Sequence, residues 1–236
     1  MNRSSVGDDI LYEDNHLIII NKKPSQIVQG DKTGDLPMSD LLKEFIRIRD
    51  QKPGNVFLGV VHRIDRPVSG IVIFAKTGKA LARLNKMFRE GSIRKTYWAV
   101  VKNPPPETNG HLVHYLVRNE KQNKSYAFDK EVKDGVKAEL IYTVTGQSHN
   151  YYFLEINLLT GRHHQIRSQL SRIGCPVKGD LKYGADRSNP DGSIHLHARK
   201  VEFLHPVRQE EITVVADPPG EKLWDLFIKS KPATNL

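Results

Sequence analysis

Short apolar blocks set off by turn residues run through most of the chain, and a few stretches shift to a helical period. Ile10, Leu11 and Tyr12, then Leu17, Ile18, Ile19 and Ile20, predict a strand pair turned at Asp14 and Asn15. Asn21, Lys22, Lys23 and Pro24 end the second strand with a basic edge. Leu41, Leu42, Phe45, Ile46 and Ile48 predict a helix capped by Ser39 or Asp40. Ile71, Val72, Ile73, Phe74 and Ala75 form an unbroken run, the pattern of a strand buried on both faces. Over residues 79–89, Leu81, Leu84 and Phe88 make the apolar stripe of a helix that Gly91 stops. Lys79, Arg83 and Lys86 make its opposite side basic, as a phosphate-contacting face or an ordinary solvated one would be.

Residues 94–101 read as a strand opened by Arg94 and Lys95. Asn103, Pro104, Pro105 and Pro106 are the clearest linker signal. Strand-like sequence continues to about Leu159, with Asp134 and Gly135 as a hairpin turn. Within it Leu140, Tyr142 and Val144 alternate with Glu139, Thr143 and Thr145. Ile166, Leu170 and Ile173 predict a helix on a core, ended by Gly174 and Pro176. Its first turn concentrates Arg162, His163, His164, Gln165 and Arg167, which suits a phosphate or carboxylate but equally a polar surface turn. Alternation resumes from His195 to Phe203, a strand follows over residues 211–216, and Leu223, Trp224, Phe227 and Ile228 predict a short terminal helix.

Charge narrows the candidates. Lys+Arg number 36 against 27 Asp+Glu in 236 residues, a formal charge of +9, which favours a polyanionic partner. The single cysteine, Cys175, excludes an intrachain disulfide and fits a reducing compartment. No apolar run approaches membrane-spanning length, and residues 1–9 lack an apolar signal core, so the expectation is a cytoplasmic protein with no membrane partner. There is no P-loop, no dinucleotide-binding glycine fingerprint and no nucleophile elbow. His163 with His164, and His195 with His197, lack the spacing of a metal site, so no metal is expected. What remains is Asp65 between Arg63 and Arg66, on a loop stiffened by Pro67 and rooted in the apolar run from Ile71. Either Asp65 caps a turn between solvated arginines, or it is a nucleophile or base acting at a sugar–base bond without metal or cofactor. The second reading calls for arginines that hold the anion and an aromatic that stacks on a base.

The run from His62 to Gly70, with Ala75, Lys76 and Thr77 closing the strand behind it, closely resembles the signature of the RluA family of pseudouridine synthases. Lys95, Thr96, Tyr97 and Trp98 resemble a second signature of that family. Thr160 to Arg167, with Gly179, Asp180, Tyr183 and Gly184 beyond, resembles a third. The resemblance implies an α+β fold: a long mixed, mostly antiparallel sheet with flanking helices and a central active-site cleft. It implies one catalytic domain over residues 1–236, its core about residues 10–227. The S4 RNA-binding domain of many relatives is not expected, since only residues 1–9 precede Ile10. The implied activity is isomerisation of uridine to pseudouridine in structured RNA, ribosomal or transfer, by base flipping, without cofactor, by a monomer.

Asp65 is similar to the family's essential aspartate, Tyr97 to the tyrosine that stacks on the uracil, and Arg167 to the basic residue paired with the aspartate. Arg63 resembles the arginine that replaces the flipped base in the RNA helix. His62, Arg66, Arg162, Gln165 and Leu196 complete the expected substrate-binding set. Pro67 and Val68 stand where an acidic residue and threonine are usual, and His163 where threonine is; no role-bearing side chain is lost. The alternatives are a non-catalytic RNA-binding protein of the same fold and a metal-dependent phosphoesterase.

Overall fold

A computed structural model describes residues 6–31 and 33–229; residues 1–5, part of the stretch read as lacking a signal core, lie outside. In chain order, β1 (Ile10–Glu13) and β2 (Leu17–Lys22) precede α1 (Met38–Arg49), β3 (Gly59–Val60), β4 (Ser69–Ala75) and α2 (Gly78–Glu90). Then come β5 (Arg94–Val101), β6 (Asn109–Asn119), β7 (Lys124–Phe128), β8 (Val136–Gln147) and β9 (Tyr152–Leu158). The chain ends with α3 (Gln165–Arg172), β10 (Leu196–Leu204), β11 (Glu211–Val215) and α4 (Lys222–Ile228). The described residues are thus α+β, with mostly antiparallel strands and few helices.

The chain divides into two units, each drawn from separate stretches of sequence. The first holds residues up to Arg94 together with Ala198–Asp217. In it β1 pairs with β2, β2 and β3 with β4, and β10 with β11, all antiparallel. Leu17 to Ile20 and the whole of β4 are buried, because apolar side chains leave both faces of these strands. Leu42 and Ile46 of α1, and Ala80 and Leu84 of α2, complete this core. Thr77 caps α2 by accepting from the Ala80 N–H, and Gly91 ends it in the left-handed conformation.

The second unit holds Lys95–His197 and the chain from Pro218 on, with strand order β5-β9-β8-β6-β7, all antiparallel. On one sheet face Trp98, Val100 and Phe153 pack against Trp224 and Phe227 of α4. The opposite face is covered by α3, whose Gln169 reaches His114 of β6. Two expectations need correction. Asp134 and Gly135 do turn the chain, but the strands on either side both pair with β6 rather than with each other, so no hairpin spans them. The polar run from Thr160 to His164 is a loop; α3 starts at Gln165, after His164 in the left-handed conformation (φ 51°).

Candidate active site

In the first unit the Asp65 loop is fixed by its apolar residues. Ile64 and Val68 are buried, Asp65 between them is half-buried, and the Val68 N–H donates to the Asp65 carbonyl at 3.0 Å. His62 roots the loop: its Nε2 accepts from the Ile73 N–H of β4 at 3.0 Å, and its ring stacks on Phe88 of α2 at 4.7 Å. Arg63 is exposed and makes no side-chain hydrogen bond or ion pair among the described residues. Arg66 differs. Its guanidinium donates to Asp35 Oδ2 at 2.6 Å and to Thr33 Oγ1 at 2.7 Å, and lies 3.4 Å from Asp31. The Arg66 hydrogen bond, with Thr33 adding to it, holds the Asp35 carboxyl below the usual carboxylate range. The Arg66 carbonyl accepts from the Ser25 N–H at 2.9 Å and from Lys22 Nζ at 3.2 Å.

In the second unit Tyr97 of β5 lies opposite Ile156, and Ile156 opposite Tyr142, which puts the half-buried tyrosine on the face that α3 covers. Arg167 of α3 is 5% exposed and Asp180 is 2% exposed. They form a bidentate pair, Nε to Oδ2 at 2.6 Å and Nη2 to Oδ1 at 2.8 Å, the geometry in which a buried guanidinium best offsets its lost hydration. The Tyr183 ring lies 5.0 Å from the same guanidinium, and its hydroxyl meets His164 Nδ1 and the Ser125 N–H. Gln165 shapes the preceding loop: its Oε1 accepts from Thr160 Oγ1 and the Arg162 N–H, and its Nε2 donates to the Glu139 carbonyl. Arg162 is exposed and donates from Nε to the Lys137 carbonyl. Lys95 Nζ would lie 3.5 Å from a Cβ at Gly161; burial pushes this ammonium down, and Arg162 adds to it. Leu196 is buried at the start of β10.

The expected site residues therefore fall into two groups. His62, Arg63, Asp65 and Arg66 share one loop of the first unit, while Tyr97, Arg162, Gln165, Arg167 and Leu196 belong to the second. His62, Arg66 and Gln165 use polar atoms to hold the backbone or an internal carboxylate. Sequence reasoning passed over Lys22, which reads as a basic strand edge and is wholly buried. Asp180, a lone acidic residue beyond a basic helix, is the signal in the sequence for the partner that Arg167 finds.

Comparison with known proteins gives the family. Residues 16–172 match the family described as RNA pseudouridylate synthase. An RNA pseudouridine synthase of Synechocystis sp. is 34% identical over 227 residues, 91% of this chain and 67% of that protein. Ribosomal large subunit pseudouridine synthase C of Buchnera aphidicola is 32% identical over 221 residues, 91% of this chain and 68% of that one. This chain thus spans about two thirds of the length of those relatives. In fold it is similar to the human RNA pseudouridylate synthase domain-containing protein 4, with a TM-score of 0.79 at 22% identity, covering 95% of this chain and 94% of that one. The family match spans Asp65, Tyr97 and Arg167 alike, and the chain belongs to the RluA-type family of RNA pseudouridine synthases.

Proposed function

We propose that this chain converts uridine to pseudouridine in ribosomal RNA, with Asp65 acting on the target nucleoside. The observation that carries the reading is the family match over residues 16–172. The ribosomal substrate is taken from relatives named as ribosomal large subunit pseudouridine synthases C and D. In the reaction the N1–C1′ bond breaks, the uracil turns, a C5–C1′ bond forms, and the C5 hydrogen leaves to solvent. Water at the sugar would instead give an abasic site, so the reacting group must be shielded. A uridine inside a helix must first be flipped out, at a cost of a few kcal/mol. Arg63, exposed and without a side-chain partner among the described residues, is the side chain that fills the vacated place; Tyr97 offers its ring to the uracil.

Asp65 acts at the ribose, as nucleophile at C1′ or as base toward a sugar proton. Arg167, fixed by Asp180, is the cation of the site, and Arg162 is a phosphate ligand. Leu196 supplies apolar surface, while His62, Arg66 and Gln165 keep the two loops in shape. The protein is a cytoplasmic monomer in this reading.

Ribosomal RNA and, in parallel, transfer RNA, each labelled with tritium at uridine C5, test the assignment, with release expected from the ribosomal RNA. Release should proceed in excess EDTA and should vanish in Asp65→Asn, which removes the nucleophile and strong base but keeps the shape, with RNA affinity within about twofold because many phosphate contacts supply it. An active Asp65→Asn enzyme would overturn the role of Asp65. Release confined to transfer RNA would overturn the ribosomal substrate, and release abolished by EDTA would point to a metal-dependent reaction.

A further inference from the structure

A sheet face turned to water ordinarily carries the polar half of each strand's alternation. Strand β6 departs from this. His114 and Leu116 are buried on the face that α3 covers, yet Val113, Tyr115 and Val117, on the other face, are apolar too. There Tyr115 lies opposite Phe128 and Val117 opposite Tyr126 of β7, while Ile141 of β8 lies opposite His111. Val113, Tyr126, Phe128 and Ile141 are 37–40% exposed. Helix α4 covers this face only farther along the sheet, at Trp98, Val100 and Phe153. The Tyr126 hydroxyl donates to Gln122 Oε1, which fixes the ring. Lys124 stands at the rim, its Nζ 5.3 Å from the Tyr126 ring and 5.1 Å from that of Tyr183, and makes no ion pair among the described residues. Glu139, on the open face, is met by Lys137 at 3.2 Å and His111 at 3.5 Å.

Exposed rings beside an ammonium on an open sheet suit a single RNA strand: bases stack on the rings while a phosphate meets the cation. A second copy of this chain suits the face less. A two-fold dimer would set Lys124 against like charge, on a chain that already carries +9. We propose that the open face of β6, β7 and β8 is a docking surface for single-stranded RNA, with bases stacked on Tyr126 and Phe128 and a phosphate at Lys124. Tyr97 lies on the opposite face of this sheet, so the surface is separate from the ring offered to the uracil. The inference goes beyond the assignment of Asp65 and does not rest on it.

The test uses the full-length chain and a short RNA of adenines and cytosines, which holds no uridine for the candidate active site. Tyr126→Leu combined with Phe128→Leu keeps an apolar strand and removes both rings. Affinity should then fall about 100-fold, about tenfold for each ring. Tyr126→Trp keeps a stacking ring and should bind at least as tightly as the wild type. Lys124→Gln should flatten the slope of log affinity against log salt by about 0.7. The double leucine variant should keep the wild-type rate of tritium release at saturating ribosomal RNA. Unchanged affinity in that variant would overturn the proposal, and so would a wild-type chain that does not bind this RNA. A reduced saturated rate would place the rings in the candidate active site and overturn the separate surface. A dimer in sedimentation that the ring substitutions dissolve would give the face to a second copy, again overturning the proposal. If the double variant loses its cooperative urea transition, Tyr126→Leu alone decides, by a loss of about tenfold or none.

Discussion

Gly70 has φ 111°, and a Cβ there would stand 2.3 Å from the Ala198 carbonyl oxygen. Backbone so close tolerates no side chain, and the conformation itself disfavours any other residue. Gly70→Ala should cost about 3 kcal/mol, read as a lowered urea midpoint, and an unchanged midpoint would refute the close approach. His195 is buried in the second unit, and burial, with Lys178 adding, pushes its imidazole down to about 3. Asn189 meets its Nδ1 at 3.0 Å. Glu221 comes within 3.2 Å of Nε2 out of hydrogen-bond alignment, and burial pushes that carboxyl up, so no ion pair rewards protonation. Below pH 6.5 the unfolded chain takes up a proton that the folded one refuses, so stability falls as pH drops from 6.5 toward 3. By pH 4.5 this amounts to about 3 kcal/mol, and His195→Asn should show a pH 7-to-4.5 loss smaller by that amount in urea titrations.

Helix α2 shows how far a helical face can be read from its spacing. Periodicity puts Lys79, Arg83 and Lys86 on one side, but Arg83 donates to the Pro206 carbonyl at 2.6 Å and Lys86 sits 3.8 Å from Glu90. Lys79 and Lys86 are therefore the pair to test against RNA. Reversing both to glutamate should flatten the plot of log affinity against log salt by about 0.7 to 0.9 for each phosphate the pair neutralises; an unchanged slope makes this a solvated face. The buried strands β2 and β4 were legible because their apolar runs need no knowledge of neighbours. The start of α1 was not: Pro37, not Ser39 or Asp40, precedes it, and no side chain caps it. Its first N–H groups are met by the carbonyls of Ile27 and Val28, from a segment that no local pattern ties to residue 38. For the same reason the Asp65 loop could be found from Arg63, Asp65 and Pro67, whereas the carboxylates that take up Arg66 could not.

The strongest linker signal, residues 103–106, lies inside the second unit, and the chain passes between units within β5, within β10 and after Asp217 instead. Proline-rich composition marks a break in local structure; at residues 103–106 it does not mark where long-range packing ends, whereas at Pro218 and Pro219 it does. Because the second unit recruits α4 from beyond Pro218, residues 95–197 alone would expose Trp98, Val100 and Phe153. That fragment should show no cooperative urea transition, and a sharp one would mean that α4 is dispensable. The packing of α3 on the sheet has a consequence for how this unit assembles. Gln169 Nε2 donates to the carbonyls of Leu112 on β6 and Ala138 on β8 and meets His114 Nδ1. A one-residue slip between β6 and β8 would swing His114 to the other face and break that set at once. Non-local strand pairings form slowly and make such errors. The helix acts as a proofreader: it docks only on correctly aligned strands, and a misaligned arm stays undocked and free to unzip.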